Sequence, residues 1–222
     1  MFGILFRIMK NILCLFFALF VGAQLCATNQ IPDLLLHNGM EYDIDVNPLE
    51  PYFKKHPGKH PKKYSYVIST ALSRGYIATF EIKDKQLFVK EINVKISFST
   101  IDDDGTTNVF NKVFADTNEV KAVWFTGITA TPGMRIERSS ITNEASIKIE
   151  NARGRDIYQG GDGNYYEQVK INRLVLEFEQ GNLVSERSMS AKEYSAFVKT
   201  SKYKTVRKKM EQEGYDFVYL WE

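Results

Sequence analysis

The chain has 222 residues, 44% of them hydrophobic and 25% charged, with 29 Lys and Arg against 27 Asp and Glu. This balance excludes a disordered chain, a collagen-like repeat and a multi-span membrane protein, and leaves an ordinary globular fold. Two cysteines and three histidines leave little material for thiolate or imidazole chemistry.

The N-terminus reads as an export signal. Arg7 and Lys10 form a positive region, Ile12 to Ala23 an apolar run, and Val21-Gly22-Ala23 or Leu25-Cys26-Ala27 a small-residue cleavage site. An uncleaved membrane anchor is disfavoured, because a span needs roughly 20 apolar residues and the charges cut this run short. Lipid attachment at Cys26 is disfavoured too, since Leu25 stands where a small residue is wanted. The expectation is a signal peptide over 1–23, or up to 27, and a periplasmic or secreted single domain over 28–222. Removing residues 1–23 takes away Arg7 and Lys10 and leaves 27 charges of each sign. A neutral chain lacks the field that draws proteins to nucleic acid. At most one thiol survives, which rules out a disulfide and a Cys-ligated zinc site.

The pattern from Leu34 onward is strand and turn, an α+β, mainly β fold of antiparallel sheets built from hairpins. Leu34 to Leu36, His37-Asn38-Gly39 and Tyr42 to Val46 predict an opening hairpin. Asn47-Pro48-Leu49-Glu50 predicts a helix start with Asn47 as N-cap, and residues 54–63 (KKHPGKHPKK) an exposed loop. Strands are expected at Tyr66–Thr70, Gly75–Ile82, Leu87–Val89 and Ile92–Phe98, the last with strict two-residue alternation. Asp102 to Gly105 then reads as a turn, Val120–Ile128 and Ser146–Glu150 as strands, and 151–164 (NARGRDIYQGGDGN) as a long Gly-rich loop. Phe80–Leu87 and Leu176–Leu183 share one apolar, Glu, apolar, charged, turn, amide, Leu pattern and read as two hairpins, which generic turn chemistry explains better than duplication. Past Ser190 the period changes: Ser190 and Glu193 form a capping box, Gly214 suits the left-handed end, and one helix of about 190–213 is expected. The aromatics of Tyr215 to Trp221 fall at every second residue, a terminal strand beside the sheet.

Catalytic signals are weak. His56 and His60 have a helical ligand spacing, but Pro57 and Gly58 intervene and prevent the helix. No Ser-His-Asp arrangement is announced. Asp102, Asp103, Asp104, Gly105 and Asn108 resemble part of a calcium loop, yet Thr100 and Asn111 fall at its first and twelfth positions, where carboxylates are needed. Neither a metal nor a cofactor is expected. The long loop carries Arg153, Arg155 and Tyr158 and is followed by Tyr165 and Tyr166, the residue types that dominate binding hot spots. These five are the candidate partner-binding residues, set against a purely connecting role for the loop. The basic stretches at 54–63 and on the 190–213 helix read first as solvated faces; weak contact with an anionic membrane is the alternative for the helix.

At Pro48-Leu49-Glu50-Pro51-Tyr52-Phe53, Arg74 to Ile82, Trp124-Phe125-Thr126-Gly127 and Leu183 to Arg187 with Glu193-Tyr194, the chain resembles a group of uncharacterised bacterial exported proteins of mainly β type with a C-terminal helix. The resemblance implies a periplasmic or secreted setting and carries neither activity nor site residues. Two functions follow as expectations: a non-enzymatic domain binding a protein or small ligand, and, as the alternative, a hydrolase working through carboxylates such as Glu81, Glu177 and Glu179.

Overall fold

Asn38 and Gly39 take φ of 51° and 75°, the left-handed pair that a tight hairpin turn demands. They join β1 (Asp33–His37) to β2 (Met40–Ile44) in the computed structural model, which describes residues 30–97, 105–115, 117–141, 143–152, 157–160 and 163–218. The expected signal peptide, Phe98, Asp102 to Asp104 and Tyr219 to Trp221 lie outside the described residues. After β3 (Val46–Asn47), helix α1 (Glu50–Lys55) begins two residues later than its sequence suggests. Asn47 does not cap α1; it pairs in β3, and its buried Oδ1 has no partner among the described residues. Short 3-10 turns, not an irregular loop, carry residues 57–59 and 61–64.

Tyr66–Thr70 is not a strand. Only Val67 of its apolar residues is buried, Tyr66 and Ile68 face solvent, and Tyr66 and Val67 both donate to the single carbonyl of Lys95. β4 (Ile77–Lys83) and β5 (Gln86–Lys95) form the next hairpin, and β5 fuses the two expected segments. A register shift opposite Thr79/Phe80 keeps Leu87, Val89, Ile92 and Val94 all inward despite the odd spacing between Val89 and Ile92. β6 (Thr106–Asn108), helix α2 (Phe110–Val113) and β7 (Val120–Lys121) follow. The apolar run 120–128 is broken: Phe125 N–H returns to the Ala122 carbonyl, Val123 is exposed, and Trp124 turns its indole N–H to Pro48 O. Only Gly127–Ala130 continues as strand β8.

Two further corrections concern 134–164. β9 (Met134–Arg138) leads to helix α3 (Glu144–Ala152), where a strand is expected at 146–150; Asn143 Oδ1 accepts the Ser146 N–H and starts the helix. The Gly-rich segment is not one long loop: β10 (Ile157–Gln159) lies within it and pairs with β11 (Tyr165–Lys170), which follows it, and the two form a small antiparallel sheet with β9.

β12 (Arg173–Glu179) and β13 (Asn182–Met189) complete the main sheet, ordered β2-β1-β4-β5-β13-β12-β8, with β6 and β7 also on β5. It is mixed, since β1 runs parallel to β4. The two matching hairpins meet at their turns: Leu87 N–H donates to Gly181 O, and Leu183 N–H to Lys85 O. From that junction the sheet curls until its last strand reaches its first, where Asp45 N–H donates to Ala130 O at 3.1 Å. The enclosed side holds the main core, including Leu35, Phe80, Val89, Phe125, Leu176 and Phe178.

The Asp45 side chain fastens this seam. Its Oδ1 accepts from Ala130 N–H at 2.8 Å and Thr129 Oγ1 at 3.0 Å, and its Oδ2 takes Arg207 Nη1 at 2.9 Å. Burial raises the Asp45 carboxyl pKa, while the Arg207 cation and these donors pull against it.

The single expected C-terminal helix is two: α4 (Ala191–Phe197) and α5 (Ser201–Glu213). Ser190 and Glu193 form the reciprocal capping box of α4. At the break, Thr200 Oγ1 accepts Tyr203 N–H and donates to Phe197 O, so one hydroxyl ends a helix and begins another. Gly214 closes α5 with φ 90°. Phe197, with Tyr194, Tyr203 and Val206, covers the outer face of β8 and β12 at Ile128, Ala130 and Val175. Of the expected terminal strand, β14 (Asp216–Phe217) pairs with β3, and Tyr219 to Trp221 lie outside the described residues. Thr200→Ala is expected to cost about 0.5 to 2 kcal/mol in chemical denaturation. A continuous helix through 200 would instead be unaffected or stabilised, since Ala is the better helix former.

Candidate binding site

β9, β10, β11 and α3 form a flap that leaves the main sheet where β8 passes into β9 and β11 into β12. Residues 131–134 and 170–173 are its neck. Beyond the Asp45–Ala130 contact, β2 and the neck diverge and leave a cleft of about 560 Å³. Tyr42, Pro132, Met134 and Ile171 give it apolar surface, and Glu41 and Asp43 from β2 and Arg135 and Gln168 from the flap add polar groups. A second cleft of about 530 Å³ lies on the other side of the neck, against α4, and shares Met134 and Ile171 with the first.

Strand alternation decides which candidate residues come together. Tyr158 stands opposite Tyr166, and Tyr166 opposite Arg138; the two tyrosine rings are 6.2 Å apart. Gln168 lies two residues along β11, on the same face, and reaches the first cleft. Tyr158 and Tyr166 thus share a surface running toward the cleft over about 7 Å of strand. Tyr165 is on the opposite face, the face of Ile157, whose backbone is held by the Asn151 amide of α3. Arg153 and Arg155 lie outside the described residues.

The carboxylates offered for hydrolysis do not converge. Glu81 sits among Lys83, Lys90 and Glu119, while Glu177 holds Lys202 at 2.8 Å. Neither cleft is lined by Glu81, Glu177 or Glu179. Of the histidines, His37 is buried and meets Glu186 at 3.1 Å, with no partner at Nδ1. His60 Nδ1 accepts Lys62 N–H and helps start a 3-10 turn; His56 stacks on Tyr52. Among the described residues no three His, Cys, Asp or Glu side chains are grouped as a metal site requires.

Several residues with chemical potential escape the sequence reading. Arg173 is buried against the neck, and Glu41 and Asp43 share one wall of the first cleft. The signal for Arg173 is its phase: it alternates with buried Val175, so it falls on a covered face. Nothing in the sequence brings β2 to the neck, because that proximity comes from closure of the sheet. Comparison with protein families, with curated proteins and with solved structures finds no match for this chain.

The cleft wall partly desolvates the Asp43 carboxyl, which stays exposed, and raises its pKa, and the Glu41 charge adds to the shift. Ionising Asp43 therefore opposes folding, and stability falls as pH rises from its unfolded-state pKa past its folded-state one. Carbon-detected NMR titration should find Asp43 protonated above the ordinary carboxylate range, and Glu41→Gln should lower its pKa. No movement in that variant would mean the two carboxylates do not share a field.

Proposed function

We propose that this is an exported, non-enzymatic binding domain that holds its partner on the Tyr158–Tyr166 face of the flap and in the cleft at the flap's base. The observation that carries the reading is the continuity of that surface: paired aromatics, Gln168, and then a concave pocket with apolar walls and charges of both signs. Such a mixture suits a small ligand or an extended peptide with an apolar residue to bury and a polar group to orient. Tyr supplies rigid contact area at low entropic cost. Among the described residues no helix is long and apolar enough to cross a membrane. Export rests on the N-terminal pattern alone.

The hydrolase alternative keeps one specific footing, the Glu41–Asp43 pair in the cleft, because two neighbouring carboxyls, one with a raised pKa, can divide acid and base roles. A fragment screen followed by amide chemical shifts separates the two. Under the binding reading, hits move the resonances of Tyr158, Tyr166, Gln168 and Met134, and Tyr158→Ala with Met134→Asp weakens them tenfold or more, about 1.4 kcal/mol. Hits confined to other surfaces would refute it. Turnover of chromogenic glycosides or esters, abolished by Asp43→Asn, would establish the enzyme.

A further inference from the structure

Two of the arginines packed inside the described structure, buried Arg74 and half-buried Arg207, are paired with carboxylates, and a third, Arg187, lies over the Phe197 ring with its buried Nε unpaired. Arg74 meets Asp33 at 2.8 Å and Arg207 meets Asp45 at 2.9 Å, as the cost of burying an isolated charge requires. Arg173 differs. It is only 6% exposed, yet among the described residues no carboxylate lies within 4.0 Å of it. Its Nη1 donates to Thr131 O at 3.1 Å and its guanidinium lies over the Tyr194 ring at 4.7 Å, which together fix the plane of the group. Nε and Nη2 donate to no described residue and, unlike Arg187 Nε, are not sealed off from the solvent of the cleft.

Beside that unused edge stands Gly133. A Cβ there would lie 3.2 Å from Arg173 Nε and 3.5 Å from Nη2. Gly133 does not have positive φ, so its backbone is open to any residue. What the glycine provides is space, at the two donors left without partners. The surrounding cleft, about 530 Å³, adds Lys170 and Ser195 at its wall and apolar surface from Met134, Ile171 and Val198.

We infer that the cleft between the flap neck and α4 binds an organic carboxylate with a short apolar body, its two oxygens on Arg173 Nε and Nη2. The Nε–Nη2 edge matches a planar carboxylate with two parallel hydrogen bonds, and one anionic charge balances the buried cation. The volume far exceeds a carboxylate alone, and the apolar wall gives a hydrocarbon body somewhere to go. This inference does not rest on the Tyr158–Tyr166 face holding a partner, although the two clefts share Met134 and Ile171.

The probe is sodium octanoate, titrated calorimetrically and by amide chemical shifts into protein purified from cells expressing the full chain. Octan-1-ol, octylamine and inorganic phosphate are the controls. Octanoate should bind and shift Gly133, Arg173 and Val198, with each control at least tenfold weaker. Gly133→Ala should weaken octanoate tenfold or more while leaving the spectrum of a folded protein. Arg173→Lys, which keeps the charge and loses the fork, should weaken it as well, and Arg173→Gln should abolish it. Because Arg173 also holds Thr131, Gly133→Ala decides the matter if the arginine variants do not fold. Absence of octanoate binding, equal affinity for phosphate or octanol, or undiminished binding to folded Gly133→Ala would each overturn the assignment.

Discussion

One carboxylate holds the two ends of the main sheet together. Asp45 gathers a backbone amide and a hydroxyl from β8 and a guanidinium from α5, next to the single backbone hydrogen bond between the end of β2 and β8. The arrangement offsets the desolvation of a buried charge by satisfying both oxygens. It also ties three remote stretches of chain into one junction, with Arg207 in turn lying 3.5 Å over the Phe217 ring. Inside the ring the core fills with side chains from both hairpin pairs; outside it, α4 and α5 cover β8 and β12.

The clefts are a consequence of where that fastening stops. At Asp45 the sheet edges are joined by one backbone hydrogen bond and this side chain; beyond it, Pro132-Gly133 and Ile171-Asn172 carry the strands away into the flap, and among the described residues β2 has no strand partner on that side. Pro132 has no amide N–H to continue a ladder. Apolar side chains at the neck then line concave surface on both sides, one against the acidic edge of β2 and one against α4. The two sides differ in charge: Glu41 and Asp43 lie with Arg135 in one, while the other has Arg173 and Lys170 and, among the described residues, no carboxylate.

Much of the local structure is legible in the sequence, because its causes are local. Asn38-Gly39, the paired hairpins at 80–87 and 176–183, the Ser190–Glu193 box and the Gly214 cap all follow from turn and capping chemistry within a few residues. The failures have causes at longer range. Ser146–Glu150 alternates well enough for a strand, but Asn143 supplies a helix start, and α3 packs on β10. Residues 120–128 read as one strand until Trp124 finds Pro48 O, 76 residues away. A parallel β1–β4 pair, a closed seam and an Arg173 without a carboxylate are invisible to any window of sequence, since each depends on which distant strand becomes a neighbour. Of the residues singled out for binding, Tyr158 and Tyr166 share a face, whereas Tyr165 does not, a distinction that needs the register of β10 on β11.

The closure at Asp45 is most directly tested by amide hydrogen exchange at Ala130 and Asp45 in the native protein and in Asp45→Asn. With the seam closed as described, both amides are protected in the native protein at a level close to that of Phe80 and Val89 in the sheet centre. In Asp45→Asn their exchange accelerates by at least tenfold more than that of Phe80 and Val89, because Arg207 loses its carboxylate and the edges part locally. Rapid exchange of Ala130 in the native protein, or equal loss of protection at all four amides, would contradict a seam fastened by this side chain.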